Sequence, residues 1–208
     1  MNIVITYRHQ GNEDYGPLMK TVRQSIKKMG YNHILVHAEA FYNPLMIWIL
    51  EAQKNYIESD AFNCNSVLFS PDALIIKPLE EIFEQDFDCA VTLRADTILN
   101  NGVIFIKPQN KNRLIKLWDD AIKKCWSYHA ALQNWGGDQK ALQDVLSSAD
   151  YKPHGLNVIK VDMEKYNAPY IRAGIETNKE LLEKASIVHF KGDRKKLMQE
   201  TWEYICSK

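Results

Sequence analysis

The stretch Ser66-Val67-Leu68-Phe69-Ser70-Pro71-Asp72-Ala73-Leu74-Ile75-Ile76-Lys77-Pro78-Leu79 decides how this chain reads. Val67, Leu68 and Phe69 form an apolar run of the kind that makes a strand buried on both faces, and Leu74, Ile75 and Ile76 form a second. Between the runs stands one carboxylate, Asp72, beside Ser70 and Pro71. A carboxylate at the end of a core strand is costly unless something pairs with it. A divalent cation, an Arg, a Lys or plain solvent can do so, and the function of the chain turns largely on which.

Upstream of this stretch the pattern alternates. Residues 3–6 read as a strand and are followed by a polar loop over 7–14. Leu18, Val22, Ile26 and Met29 recur at helical spacing, and Gly30 ends that helix. Residues 32–37 carry the next strand. Pro44 opens a second helix that runs through Trp48, Ala52 and Tyr56, since Pro is well tolerated in a first turn. Strand, helix, strand, helix, strand in this order implies a parallel sheet with right-handed crossovers. Ligands of such sheets bind beyond the carboxyl ends of the strands, where residues 6–9 and the step Ser70-Pro71-Asp72 both fall. Downstream, a short helix is expected around 79–83, a strand over 89–93, a turn at Asn100-Asn101-Gly102 and a strong strand over 103–106. Helices follow over 113–125 and 140–146, the second opened by the loop Trp135-Gly136-Gly137-Asp138-Gln139. Strands are expected over 158–161 and 187–190, and the tail to Lys208 reads as helix.

The 208 residues suit one α/β domain spanning 1–208, with 46% hydrophobic and 25% charged residues, an ordinary globular composition. Lys plus Arg and Asp plus Glu balance at 26 each, so overall charge makes no case for a nucleic-acid binder, although a local basic patch stays open. The longest apolar run, residues 45–50, is far too short to span a bilayer, and the first residues enter the fold directly, so the expected location is the cytoplasm. Cys64, Cys89, Cys125 and Cys206 are widely spaced without a CxxC pair and read as reduced thiols.

Taken in order, four segments resemble the glycosyltransferase-A fold, and most of all the retaining glycogenin and bacterial galactosyltransferase type. The first is the apolar strand into Ser70-Pro71-Asp72, where that family usually has Asp-x-Asp. The second is Asn100-Asn101-Gly102 before an apolar strand, similar to its Asn-x-Gly. The third is Gly137-Asp138-Gln139, similar to its Asp-Gln at a helix start. The fourth is His189-Phe190-Lys191-Gly192-Asp193-Arg194-Lys195, which matches His-x-x-Gly-x-x-Lys, and Tyr166-Asn167 falls where the family often has an aromatic-Asn pair. The likeness runs over nearly the whole chain. It implies a single-domain fold with a mostly parallel central sheet flanked by helices, and transfer of a sugar from a nucleotide-diphosphate donor, UDP-linked, with retention.

The resemblance also implies roles. Asp72 and His189 would ligate Mn²⁺ or Mg²⁺, which stabilises the charge developing on a departing diphosphate. Lys195 would meet a phosphate as a point charge, and Gly192 would let the backbone approach it. Thr6, Tyr7 and Arg8 would read the base and ribose, unless they are an ordinary polar strand end. Asn101 and Gly102 would touch the donor sugar or diphosphate, unless they form a plain Asn-Gly turn. Asp138 and Gln139 would orient the transferred sugar, with Asp138 as a helix N-cap the structural alternative. Lys54 and Arg94 are candidate donor contacts or surface charges, and Trp135 is the aromatic placed to face a sugar ring. One departure matters. Ser70 replaces the first carboxylate, and a hydroxyl suits a ribose better than a metal, so the cation site is weak, recruits another ligand or is absent. Lys196-Leu197 also stands where Pro-Trp commonly follows the Lys.

The acceptor stays open between glycan, lipid, protein and modified DNA base. A non-catalytic nucleotide- or sugar-binding module of the same fold is the rival, favoured by Ser70. A nucleotidyltransferase would need a Gly-rich loop after the first strand, where only Gly11 stands.

Overall fold

The computed structural model describes residues 1–8, 16–38, 45–94, 98–147, 155–171 and 174–208; most of the polar loop after the first strand and Pro44 lie outside them. In chain order the strands are β1 (Asn2–Arg8), β2 (Asn32–Ala38), β3 (Ser66–Phe69), β4 (Ala73–Ile75), β5 (Cys89–Leu93), β6 (Leu99–Ile106), β7 (Val158–Val161), β8 (Ala168–Pro169) and β9 (Ile187–His189). The helices are α1 (Gly16–Lys28), α2 (Leu45–Glu58), α3 (Glu80–Glu84), α4 (Lys111–Trp126), α5 (Ala130–Asn134), α6 (Gly137–Ser147), α7 (Met163–Tyr166), α8 (Gly174–Lys184) and α9 (Met198–Ser207).

Six strands form the central sheet in the order β2-β1-β3-β6-β5-β7. The pairings run five strands one way and reverse β6 alone, which is antiparallel to both β3 and β5. The expected mostly parallel sheet is therefore present. Side-chain alternation along the strands builds two cores. Ile3, Ile5, Val67, Phe69, Val103 and Phe105 face a layer that includes α1 and α9. Val4, Leu68, Ile104 and Ile106 face α2, α4 and α6 on the other side. Because β3 is central, both its faces are covered, which is why its sequence is an unbroken apolar run.

The chain steps from β1 outward to β2 with α1 on one face, then returns past β1 to β3 with α2 on the other. The strand order thus reverses between β1 and β3, the switch point at which a crevice opens. The second apolar run leaves the central sheet, and β4 joins a separate three-stranded sheet, β4-β9-β8. One sequence expectation changes at this level. The turn expected at Asn100-Asn101-Gly102 is instead part of β6, which bends where the register with β5 shifts at Val91/Thr92. Three helices had no counterpart in the sequence reading, α5, α7 and α8. Among the described residues no helix is long and apolar enough to cross a membrane.

Candidate active site

A cleft of about 450 Å³ opens at the switch point, within the usual range for small-molecule sites. Its lining gathers Thr6, Ser70, Asp72, Asn101, Gly102, Asp138, Gln139, His189, Gly192 and Lys195, which include residues from all four matched segments. Tyr7 and Arg8 close β1, but their side chains lie outside the described structure. Arg94, Lys191 and Trp135 also line the cleft. Lys54 is elsewhere, bound to Asp119 at 2.7 Å and Glu58 at 3.3 Å.

The step after β3 is what builds the centre. Ser70 N donates to Gly102 O (2.8 Å), so the chain leaves the central sheet still tied to β6. Three residues later β4 pairs antiparallel with β9, Ala73 opposite His189, and Phe190 N donates to Asp72 O (2.8 Å). Backbone register alone therefore sets Asp72 beside a histidine 117 positions away. His189 Nε2 lies 3.0 Å from Asp72 Oδ1, Ser70 Oγ donates to the same oxygen, and Lys195 Nζ stands 3.8 Å from Oδ2. Asp72 is only 9% exposed, so it is no solvated strand end. Burial pushes its carboxyl up, but the charge and hydrogen bond of His189, with Ser70 and Lys195, outweigh burial and hold it at about 2.

The histidine ring is held from behind and from the side. Its Nδ1 is 2.8 Å from Asn167 Oδ1, and Asn167 Nδ2 donates to Thr92 Oγ1 at 2.8 Å. Asn167 and Thr92 are fully buried. Gly102 supplies the room: a Cβ there would lie 2.3 Å from His189 Cε1 and 2.8 Å from Nδ1. Gly102 is thus needed for the ring to lie where it does, a reason no local turn propensity could have revealed. Gly192 opens the 3-10 turn Gly192–Leu197 with φ +59, a left-handed conformation that favours glycine, and that turn carries Lys195.

On the opposite wall, Asp138 sits in the first turn of α6 rather than at its N-cap, because the helix begins at Gly137. Its Oδ2 accepts from Asn101 Nδ2 at 2.7 Å, joining α6 to β6. Thr6 Oγ1 and Asn101 Oδ1 are buried in this cleft with no hydrogen-bond partner among the described residues. Buried polar atoms are rarely left so, and both suit a polar ligand. Trp135, 73% exposed, stands at the rim.

Among the described residues no three His, Cys, Asp or Glu side chains converge, so Asp72 and His189 are the core of any cation site. The pair fits one. Donors 3.0 Å apart have the separation of adjacent ligands on an octahedral ion bound at about 2.1 Å. Two protein ligands leave most positions to phosphate oxygens and water, the usual arrangement for Mg²⁺ delivered with a nucleotide.

No protein-family model matches the sequence, and no curated protein matches it. Solved structures do. A glycosyltransferase involved in glycosylation of the major capsid of PBCV-1 superposes with TM-score 0.63 at 16% identity, covering 97% of this chain and 98% of that one. The galactosyltransferase LgtC, solved with donor and acceptor sugar analogs, gives 0.53 at 12% identity over 100% and 95%. The bifunctional glycosyltransferase WbbM gives 0.61 at 10% identity over 99% of this chain, which spans only 49% of WbbM. At such identities the likeness is one of fold. It runs the length of the chain and agrees with the switch-point cleft and the motif order, and on these grounds the chain has the glycosyltransferase-A fold.

Proposed function

We propose that residues 1–208 act as one glycosyltransferase domain that moves a sugar from a nucleotide-diphosphate donor, with UDP as the nucleotide and retention at the anomeric carbon, to an acceptor. The meeting of Asp72, His189 and Lys195 in one cleft at the switch point carries this reading. Thr6, with Tyr7 and Arg8 at the end of β1, would take the base and ribose, and Ser70 would offer its hydroxyl to the ribose. Asp72 and His189 would hold Mn²⁺ or Mg²⁺, which when bound neutralises charge developing on the leaving diphosphate. Lys195 would bind that diphosphate as a point charge, presented by the turn that Gly192 begins.

Asn101 and Asp138, bonded to each other, line the cleft together with Gln139. In that position Asp138 and Gln139 would orient the transferred sugar and stabilise positive charge at its anomeric carbon, while the diphosphate leaves and the acceptor attacks from the same face. Trp135 at the open rim would stack on a hexose.

One observation favours a second reading. Ser70 stands where a carboxylate would complete a three-ligand site, so a non-catalytic module that binds nucleotide or sugar is the alternative. A donor-hydrolysis screen across nucleotide sugars, with and without Mn²⁺, separates the two. Slow release of free nucleotide diphosphate from one donor is expected. Tight donor binding with no turnover under any condition would favour the module.

A further inference from the structure

Asn167 lies behind the cleft, reaches none of its surface, and has no role in the chemistry described so far. Its amide is nonetheless oriented at both ends. The nitrogen donates to Thr92 Oγ1 and the oxygen faces His189 Nδ1, each at 2.8 Å. An amide oxygen only accepts, so the ring nitrogen facing it must carry the hydrogen. With one hydrogen held at Nδ1, Nε2 is the nitrogen left to give a lone pair to a cation lying between it and Asp72.

We infer that Asn167 is a positioning residue that fixes the Nδ1–H tautomer of His189, so that Nε2 is presented as a ligand for a divalent cation beside Asp72. This rests on the proposed donor reading. A ring without such a partner is free to rotate or to place its hydrogen on Nε2, and then offers the cation nothing. Outer partners of this kind orient metal-binding imidazoles and raise their basicity. Gly102 closes the other side of the ring, so the imidazole is clamped between an acceptor and a bare Cα. Thr92, on β5, anchors the amide from the central sheet.

Two measurements test this. In ¹⁵N-labelled wild-type protein with Mg²⁺ and UDP, long-range ring correlations should show His189 protonated at Nδ1 and bare at Nε2. A hydrogen on Nε2 overturns the inference whatever the variants do. Free Mn²⁺, followed by electron paramagnetic resonance in the presence of UDP, should report about 10–100-fold weaker binding for Asn167→Ala. Asn167→Asp, isosteric and still an acceptor, should bind Mn²⁺ at least as well as wild type. Equal weakening by both variants, or none by Asn167→Ala in folded protein, contradicts the role. Wild-type protein that binds UDP with no gain from Mn²⁺ overturns this inference and leaves the donor reading standing, whereas no nucleotide binding at all overturns both.

Discussion

Asp72 gathers three partners on two oxygens, and each has a different task. Lys195 brings positive charge, His189 a ring nitrogen able to share a cation with Asp72, and Ser70 only a hydrogen bond. Asp72→Ala and His189→Ala should therefore lose most donor turnover, and Ser70→Ala clearly less. Equal loss at Ser70 in steady-state hydrolysis would mean that the hydroxyl is a ligand in its own right. Gly102 makes a sharper case. A methyl group there would meet the imidazole at 2.3 Å, and a ring bonded to Asn167 cannot retreat without leaving Asp72. Gly102→Ala should reduce turnover about as much as His189→Ala while the protein stays folded by circular dichroism. Unchanged turnover would show that the ring moves freely.

At the scale of elements, the site depends on β4 and β9 pairing across two sheets. Leu74 is fully buried in β4, within the core that also holds α1, so Leu74→Ala should cost about 2–5 kcal/mol in urea unfolding. The ladder register that sets Asp72 by His189 is a backbone feature, so nucleotide affinity of the folded fraction should change little. Affinity that falls with stability would show that the register is soft. Elements with strong apolar signals, such as β3, β6 and α4, were legible in the sequence because their burial is nearly complete on at least one face. Helix α8 was not, because only Asn178 and Leu182 along it are buried and no apolar period stands out. The Asn-Asn-Gly segment suggested a turn on composition, yet Asn100, Asn101 and Gly102 sit in a strand because each finds a partner there: Gly102 N for Asn100, Asp138 for Asn101, His189 packed on Gly102. The residues lining the cleft were legible as motifs. The parts of Asn167 and Gly102 were not, since both act on His189, whose nearness is a matter of tertiary register; the Tyr166-Asn167 pair stood out in the sequence only as a resemblance, with no role attached.

For the whole molecule, the buried carboxylate couples the site to acid stability. Its folded value, lowered from 3.8 to about 2, means that Asp72 stabilises the native state above its unfolded value and that this share is lost as pH falls from 3.8 through about 2. Asp72→Asn should unfold with a shallower dependence on pH across that window than wild type in thermal or urea melts. An unchanged slope would place the acid sensitivity elsewhere. Beyond stability, two cores flank one sheet whose switch point carries the cleft, and the proposed function makes a nucleoside diphosphate the ligand to try first. Calorimetric titration of the wild-type protein with UDP, against a panel of other nucleoside diphosphates and in the presence and absence of Mn²⁺, tests that claim most directly. Saturable UDP binding that tightens with Mn²⁺ and is lost in Asp72→Ala is the predicted result; no binding of any nucleoside diphosphate under either condition would contradict it.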